Sequence, residues 1–207
     1  MSSFNLPPSL SQPLLTLLRL APLLSTTASL THAYMEYITT SSFLTPAPTT
    51  SSLSRSMLRG VEPTSSPKNT ADVARATEVV APVWFVNFFN RGLWSVIGLN
   101  SITLISAVAN LWGVKGGVGA EARTFYLLGL QAGCAHYLFA PTVAPAVERL
   151  FGMCARAEKG EGERKEGASA VESVREWRAA HRLRMGSVDT VAWVSFLVGV
   201  TKCVGIL

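Results

Sequence analysis

The sequence predicts an all-α integral membrane protein, a four-helix bundle with an additional amphipathic helix before the last span. Of its 207 residues, 48% are hydrophobic and only 15% are charged, and the mean hydropathy is +0.31. A soluble domain usually carries about 25% charged residues, so the shortage of charge points to lipid. Residues 92–114 and 124–147 contain no Asp, Glu, Lys or Arg, and each stretch is long enough for a helix to cross a bilayer.

The charge-free stretches and their flanks define four predicted spans, which are residues 14–38, 92–114, 124–147 and 187–207. The first span is predicted because Arg19 is the single charged residue among residues 1–35. A cleaved signal peptide is the alternative there, although no basic residue precedes its apolar core. The last span is less clear, because only twelve uncharged residues separate Asp189 from Lys202. Three spans, with the C-terminal segment lying on the membrane surface, are therefore an alternative.

The segments between the spans are hydrophilic. Residues 40–78 are rich in Ser, Thr and Pro and lack periodicity, which predicts a flexible loop. Residues 154–168 are rich in Gly and in charges of both signs, which predicts a mobile charged loop. From Ala168 to Met185, apolar residues recur every three or four positions, as in an amphipathic helix. We expect residues 1–207 to form a single membrane domain.

The lysines and arginines predict the orientation. With four spans, the first and third loops lie on the same side and hold 14 of the 18 basic residues. The positive-inside rule then places both long loops in the cytosol. An endomembrane is the favoured location of this multi-pass protein, with the plasma membrane left open. The lipid bilayer is the expected partner, other membrane proteins are candidate partners, and the interleaved acidic residues argue against nucleic-acid binding.

Ionisable residues in the spans are candidates for chemistry, because such groups are costly at membrane depth. His32 and Glu36 are four residues apart and share one helical face, and His136 lies near the middle of the third span. If these three side chains converge, they form a general-base site or a facial iron site. The alternatives are an interfacial location for His32 and Glu36 and a hydrogen bond from His136 to a neighbouring helix.

Other polar residues have structural interpretations. Asp189, at the start of the last span, is predicted to cap that helix, and Asn100 is predicted to link helices. The three cysteines have no metal or disulfide spacing.

Four segments together resemble a known family: LLRLAPLLSTTASLTHAYMEYIT, WFVNFFNRG, APTVAPAVERL and VREWRAAHRLRMGSVDTVAWVSFLV. This arrangement resembles the DUF1772 family of small multi-span membrane proteins, which includes the fungal anthrone oxygenases. Its most specific element is a W-x-x-x-H-x-x-R pattern formed by Trp177, His181 and Arg184. The long Ser/Thr/Pro and Gly/Glu/Arg segments depart from the compact form of the family.

The resemblance implies an oxidoreductase of secondary metabolism, a monooxygenase that oxidises an aromatic polyketide anthrone to an anthraquinone without a cofactor. A base and an apolar pocket are then the main requirements, and histidine suits the role of base. We predict His32, Glu36 and His136 as catalytic residues, and no metal. Trp84, Trp177 and His181 are predicted to bind the hydrophobic aromatic substrate. The alternative is a non-catalytic membrane organiser or accessory subunit.

Overall fold

The computed structural model describes residues 12–45, 51–58, 67–113, 117–160 and 167–205, and within these ranges the protein is helical and contains no strand. The helices are α1 Gln12–Ser42, α2 Ser52–Met57, α3 Pro67–Val108, α4 Ala120–Ala135, α5 Ala140–Glu158, α6 Ala170–Arg184 and α7 Thr190–Cys203. Three irregular turns continue these helices. A π-helical turn, Ala109–Gly113, follows α3; a 3-10 turn, His136–Phe139, joins α4 to α5; and a second π-helical turn, Met185–Asp189, joins α6 to α7. The predicted all-α class is confirmed.

The chain divides into two compact units where a single domain over residues 1–207 was expected. Unit 1 contains Met1–Tyr34, Arg91–Thr142 and His181–Leu207, and unit 2 contains Met35–Asn90 and Val143–Ala180. Each unit has its own cluster of buried hydrophobic residues. The long helices α1 and α3 each contribute one part to unit 1 and the other part to unit 2. The part in unit 2 lies beyond the apolar span, where the buried hydrophobic cluster of that unit forms.

Unit 1 buries small polar side chains and exposes large apolar ones. Ser25 of α1 and Thr103 of α3 are buried, whereas Leu24 is 58% exposed and Ile105 is 69% exposed. A soluble protein would bury the large apolar residues, but lipid solvates them and favours small and polar residues between helices. Among the described residues, three helical stretches are also long and apolar enough to cross a membrane: Gln12–Ser42, Ala71–Gly113 and Ala170–Cys203. These features support membrane association.

Hydrogen bonds between helices hold unit 1 together. Ser25 Oγ lies 2.7 Å from Thr103 Oγ1, which links α1 to α3. Asn110 donates a hydrogen bond of 2.7 Å to the carbonyl of Leu18, and the Tyr126 hydroxyl of α4 donates one of 2.6 Å to the carbonyl of Arg19. Such bonds between helices replace the water that is absent from a bilayer.

Glycine allows α4 and α7 to approach closely. A Cβ atom on Gly129 would lie 2.7 Å from the ring of Phe196, and one on Gly199 would lie 2.9 Å from the ring of Tyr126. The two rings themselves meet edge to face, with centroids 5.8 Å apart. Each glycine therefore provides the space for an aromatic ring of the facing helix.

Unit 2 has an aromatic core. Phe85 of α3 and Leu150 of α5 are fully buried, and the Phe85 ring meets the Trp177 ring of α6 edge to face at 5.5 Å. The carboxylate of Glu78 accepts hydrogen bonds from the backbone N–H groups of Ala170, at 2.7 Å, and Val171, at 3.3 Å. Glu78 thus satisfies two donors at the start of α6, where the helix dipole favours a negative charge.

The helices extend further than the sequence predicts. Residues 40–78 were predicted to be a flexible loop, but α1 continues to Ser42, α2 occupies Ser52–Met57 and α3 begins at Pro67. Proline is favourable at a first helical position, and the same helix continues into the buried Phe85 region, which explains the early start. Residues 46–50 and 59–66 of that prediction lie outside the described residues.

The two C-terminal predictions differ in outcome. The predicted amphipathic helix is α6, and it continues through the π-helical turn into α7. The predicted mobile loop 154–168 begins too early, because α5 continues to Glu158 and buries Cys154, while residues 161–166 lie outside the described residues. The predicted span 124–147 is divided by the 3-10 turn His136–Phe139, and a fourth span is not confirmed.

Candidate functional site

The candidate site in unit 1 is a buried pair formed by His136 and Asp189. His136 is the first residue of the 3-10 turn, and Asp189 is the last residue of the second π-helical turn. His136 Nδ1 lies 2.8 Å from Asp189 Oδ1, and the two side chains are only 9% and 10% exposed. Irregular helical turns often occur at functional sites. Here each of the two partners lies in such a turn, His136 in the 3-10 turn and Asp189 in the second π-helical turn.

Arg184 and His181 extend this pair into a network. Arg184 Nε donates to Asp189 Oδ2 at 3.2 Å, and Arg184 Nη2 donates to His181 Nδ1 at 3.3 Å. His181 Nε2 lies 2.9 Å from the carbonyl oxygen of Ala33 on α1. Because an arginine only donates, Nδ1 of His181 is the acceptor, and the proton on Nε2 is donated to Ala33. Both ring nitrogens of His181 are therefore engaged with protein groups.

A small cavity borders the His136–Asp189 pair. It is lined by Thr26, Ser29, Asn100, Thr103, Gly133, His136, Asp189 and Ala192. Its volume is about 20 Å³, which is enough for one water molecule. Six of the eight residues that line it carry polar side chains, although most of its wall surface is apolar, so the cavity gives the buried pair a small, partly polar space inside unit 1.

His32 and Glu36 fall in different units. His32 is half-buried on α1 in unit 1, where the Arg184 guanidinium acts on it electrostatically. Of the three histidines of the chain, His136 contacts Asp189 and His181 contacts Arg184 directly. Glu36 is 7% exposed and belongs to unit 2. The carboxylate that the structure brings to His136 is that of Asp189, where the sequence predicted Glu36.

The predicted cap at Asp189 is wrong. Asp189 precedes Thr190, the first residue of α7, but its side chain makes no capping hydrogen bond. Its two carboxylate oxygens contact His136 and Arg184 instead. The hydrogen bonds to the His136 ring and to the Arg184 guanidinium stabilise the buried Asp189 carboxylate more than a single capping hydrogen bond from a backbone N–H of α7 would.

The predicted substrate-binding residues lie in packed surroundings. Trp177 is 5% exposed in the core of unit 2, against Phe85. Trp84 is half-buried in the same unit and stacks on Phe88, with ring centroids 4.9 Å apart. The two tryptophans therefore contact aromatic neighbours of their own chain. His181 is 2% exposed and belongs to the network of unit 1.

Metal ligation gains no support in the part of the chain that the structure describes. Within it, no group of three or more His, Cys, Asp or Glu residues could hold a metal ion. Cys134, Cys154 and Cys203 are free thiols. Burial, with the charge of the nearby Glu158 carboxylate, raises the pKa of the Cys154 thiol, which keeps it protonated and unreactive.

The sequence predicts only a structural role for one principal site residue, Asp189. Asp189 borders the last span, and an ionisable residue next to a span is by itself a signal of function. Its partner His136 is 53 positions away, so spacing cannot pair them. Ser29 and Thr26, which line the cavity, carry no signal beyond being small and polar on a predicted span.

Comparisons with protein-family models, with curated proteins and with solved structures find no match to this chain.

Proposed function

We propose that the protein is a four-span membrane enzyme of the anthrone oxygenase type, a member of the DUF1772 family, in which His136 is the general base. The buried His136–Asp189 hydrogen bond of 2.8 Å is the observation that carries this proposal. A carboxylate at Nδ1 orients the ring, favours the tautomer with a free lone pair on Nε2 and stabilises the imidazolium that forms when the base takes a proton.

The proposed chemistry needs a base and dioxygen. The CH2 group of an anthrone is acidic because the anion is delocalised into the carbonyl and the rings. His136 removes one proton from that carbon, the anion adds O2 to give a peroxide at the same carbon, and the peroxide loses water. One anthrone and one O2 give one anthraquinone and one water, so all electrons come from the substrate and no external reductant is required.

Substrate binding requires unit 1 to open. The cavity beside His136 has room for one water molecule and not for a tricyclic ring system. Small polar residues, such as Ser25 and Thr103, lie between α1 and α3, and separating small side chains exposes little apolar area, so we place the opening at this contact. An apolar polycycle would enter from the bilayer, in which it is soluble.

Four spans and cytosolic loops are part of the proposal. The charge-free residues 124–147 on α4 and α5 provide the remaining span. Lys202 near the end of α7 forms a 2.9 Å ion pair with Glu121 at the start of α4, and the Glu121 side chain is 81% exposed. The exposed Glu121 carboxylate, with the less exposed Lys202 side chain reaching it, fits an aqueous boundary at that end of both helices. The bias of basic residues towards loops one and three supports cytosolic loops of an endomembrane protein.

Oxygen uptake and quinone formation test the proposal. Nanodiscs containing the protein are supplied with an anthrone, and turnover is compared with autoxidation in empty nanodiscs. His136→Ala is expected to reduce turnover to the autoxidation rate, and Asp189→Asn to reduce it at least about tenfold, because the ring loses its orienting carboxylate. Tyr137→Phe is the matched control, since Tyr137 neighbours His136 but is 47% exposed.

The outcomes separate the alternatives. Equal turnover by wild type and His136→Ala would remove His136 as the base, and wild-type turnover no faster than autoxidation would remove the anthrone as substrate. The small size of the cavity favours one second candidate, a non-catalytic membrane organiser in which the polar network only joins helices. In that case Asp189 variants lower the stability of the protein while no substrate is turned over.

A further inference from the structure

The amide of Asn100 points to a ligand of the cavity. Asn100 lies on α3 and is only 8% exposed, and its Nδ2 atom has no hydrogen-bond partner among the residues that the structure describes. A buried N–H group without a partner is costly, and lipid offers no solvent to compensate. Buried polar groups that have no hydrogen-bond partner in the protein are usually satisfied by an internal water molecule.

Two other polar groups at the cavity, the hydroxyls of Thr26 and Thr103, already have hydrogen-bond partners. The Thr26 hydroxyl donates to the carbonyl of Pro22 at 2.7 Å, and Thr103 is hydrogen-bonded to Ser25 and to the carbonyl of Leu99. The carboxylate of Asp189 and the hydroxyl oxygens retain lone pairs that can accept. The cavity therefore presents a free donor, at Asn100, together with several acceptors.

This combination selects the kind of ligand. An anion would accept from Asn100 but would be repelled by the Asp189 carboxylate. A cation would be repelled by the Asn100 N–H group and by the Arg184 guanidinium, which lies 3.2 Å from Asp189. Water accepts from the amide and donates to the carboxylate or to the ring nitrogen of His136 that Asp189 does not occupy.

We propose that the cavity binds one water molecule, which accepts a hydrogen bond from Asn100 Nδ2 and donates to the His136–Asp189 pair. The volume of about 20 Å³ exceeds the roughly 10 to 15 Å³ that one water requires. The water joins α3 to the two irregular turns that carry His136 and Asp189. Its binding does not depend on the proposed oxygenation, because it requires only the arrangement of the resting protein.

Solid-state NMR of the full-length protein in nanodiscs tests the proposal without a substrate. Polarisation is transferred from water protons to nitrogen-15 in side-chain amides, and the Asn100 signal is assigned by its loss in Asn100→Leu. Asn110 is the matched control on the same chain, because it is 1% exposed and its Nδ2 donates to the carbonyls of Leu18 and Ser106. We expect transfer to the Asn100 amide and to the His136 ring, and none to the Asn110 amide.

Two results would overturn the proposal. One is an Asn100 amide that receives no more polarisation than Asn110. The other is an Asn100→Leu protein in which transfer to the His136 ring persists, since leucine fills the space and removes the donor. If that variant does not fold, the Asn100 signal is assigned through its own backbone resonances in the wild-type protein, and the comparison of Asn100 with Asn110 decides alone. A failure of anthrone turnover would leave this result unchanged, so the two proposals fail separately.

Discussion

Replacing Asp189 with leucine tests the central role of the polar network in unit 1. The change removes the acceptor of two hydrogen bonds, at 2.8 Å to His136 and at 3.2 Å to Arg184. At about 1.5 kcal/mol for each bond to a charged group, the free energy of unfolding falls by about 3 kcal/mol. The same magnitude, about 3 to 5 kcal/mol, is typical of breaking a buried ion pair by removing one partner. The Arg184 and Asp189 side chains are 15% and 10% exposed, which favours the lower end.

A double-mutant cycle isolates the pair. Unfolding is followed by circular dichroism in mixed micelles with increasing SDS, for wild type, Asp189→Leu, Arg184→Met and the double variant. We expect the double variant to be more stable than Asp189→Leu alone, because no unpaired guanidinium is left buried, with a coupling of about 2 kcal/mol. Lys202→Met is the control, since the exposed pair with Glu121 is worth less than about 1 kcal/mol.

Simple additivity would refute the reasoning. If the decreases in the free energy of unfolding in Asp189→Leu and Arg184→Met add up to that of the double variant within about 0.5 kcal/mol, the two side chains do not act as a pair. A decrease in the free energy of unfolding smaller than about 1 kcal/mol in Asp189→Leu would contradict the burial of the ion pair, because a contribution that small is typical of a pair exposed to bulk solvent.

Two further predictions concern helix contacts. Gly129→Ala is expected to lower the free energy of unfolding by about 1 to 3 kcal/mol, because its Cβ would lie 2.7 Å from the Phe196 ring. Gly98→Ala is the control, because the space around Gly98 is open. It is expected to leave the free energy of unfolding unchanged or to raise it by up to about 1 kcal/mol. The same SDS titration measures both, and equal effects would contradict the close approach of α4 and α7. Glu78→Ala is expected to cost about 1 kcal/mol through the lost cap of α6, while Glu78→Gln keeps an acceptor and costs less. Hydrogen exchange at the amide of Ala170 should accelerate in Glu78→Ala, and unchanged exchange there would contradict the cap.

The helical class could be predicted from sequence because the absence of charge is a local signal. The stretch 92–114 contains no ionisable residue, and α3 and its π-helical turn follow it to Gly113. The start of α3 at Pro67 could not be predicted in the same way. Residues 71–76 near its start are exposed, and they are helical because they continue a helix that buries Phe85 further along. That burial depends on α5 and α6, which lie far away in sequence.

The site could be predicted only in part, for a related reason. His136 was identifiable because an imidazole in a charge-free stretch needs a partner. The sequence suggested Glu36, since helical spacing joins it to His32, but spacing within one helix says nothing about which unit a residue enters. The true partner, Asp189, is brought to His136 by the packing of α4 against α7, in which Gly129 and Gly199 permit the approach.

The two irregular turns connect this packing to the chemistry. A regular helix satisfies its own backbone, and a π-helical turn inside an apolar helix is costly unless its carbonyl groups find other donors. At Met185–Asp189, the Thr190 hydroxyl donates to the carbonyl of Met185 at 2.7 Å. This carbonyl is therefore satisfied locally, and the turn ends at the residue whose carboxylate contacts His136. The π-helical turn does not make the helix more stable than a regular turn would. Its presence beside a buried ionisable pair is better explained by where it places the Asp189 carboxylate.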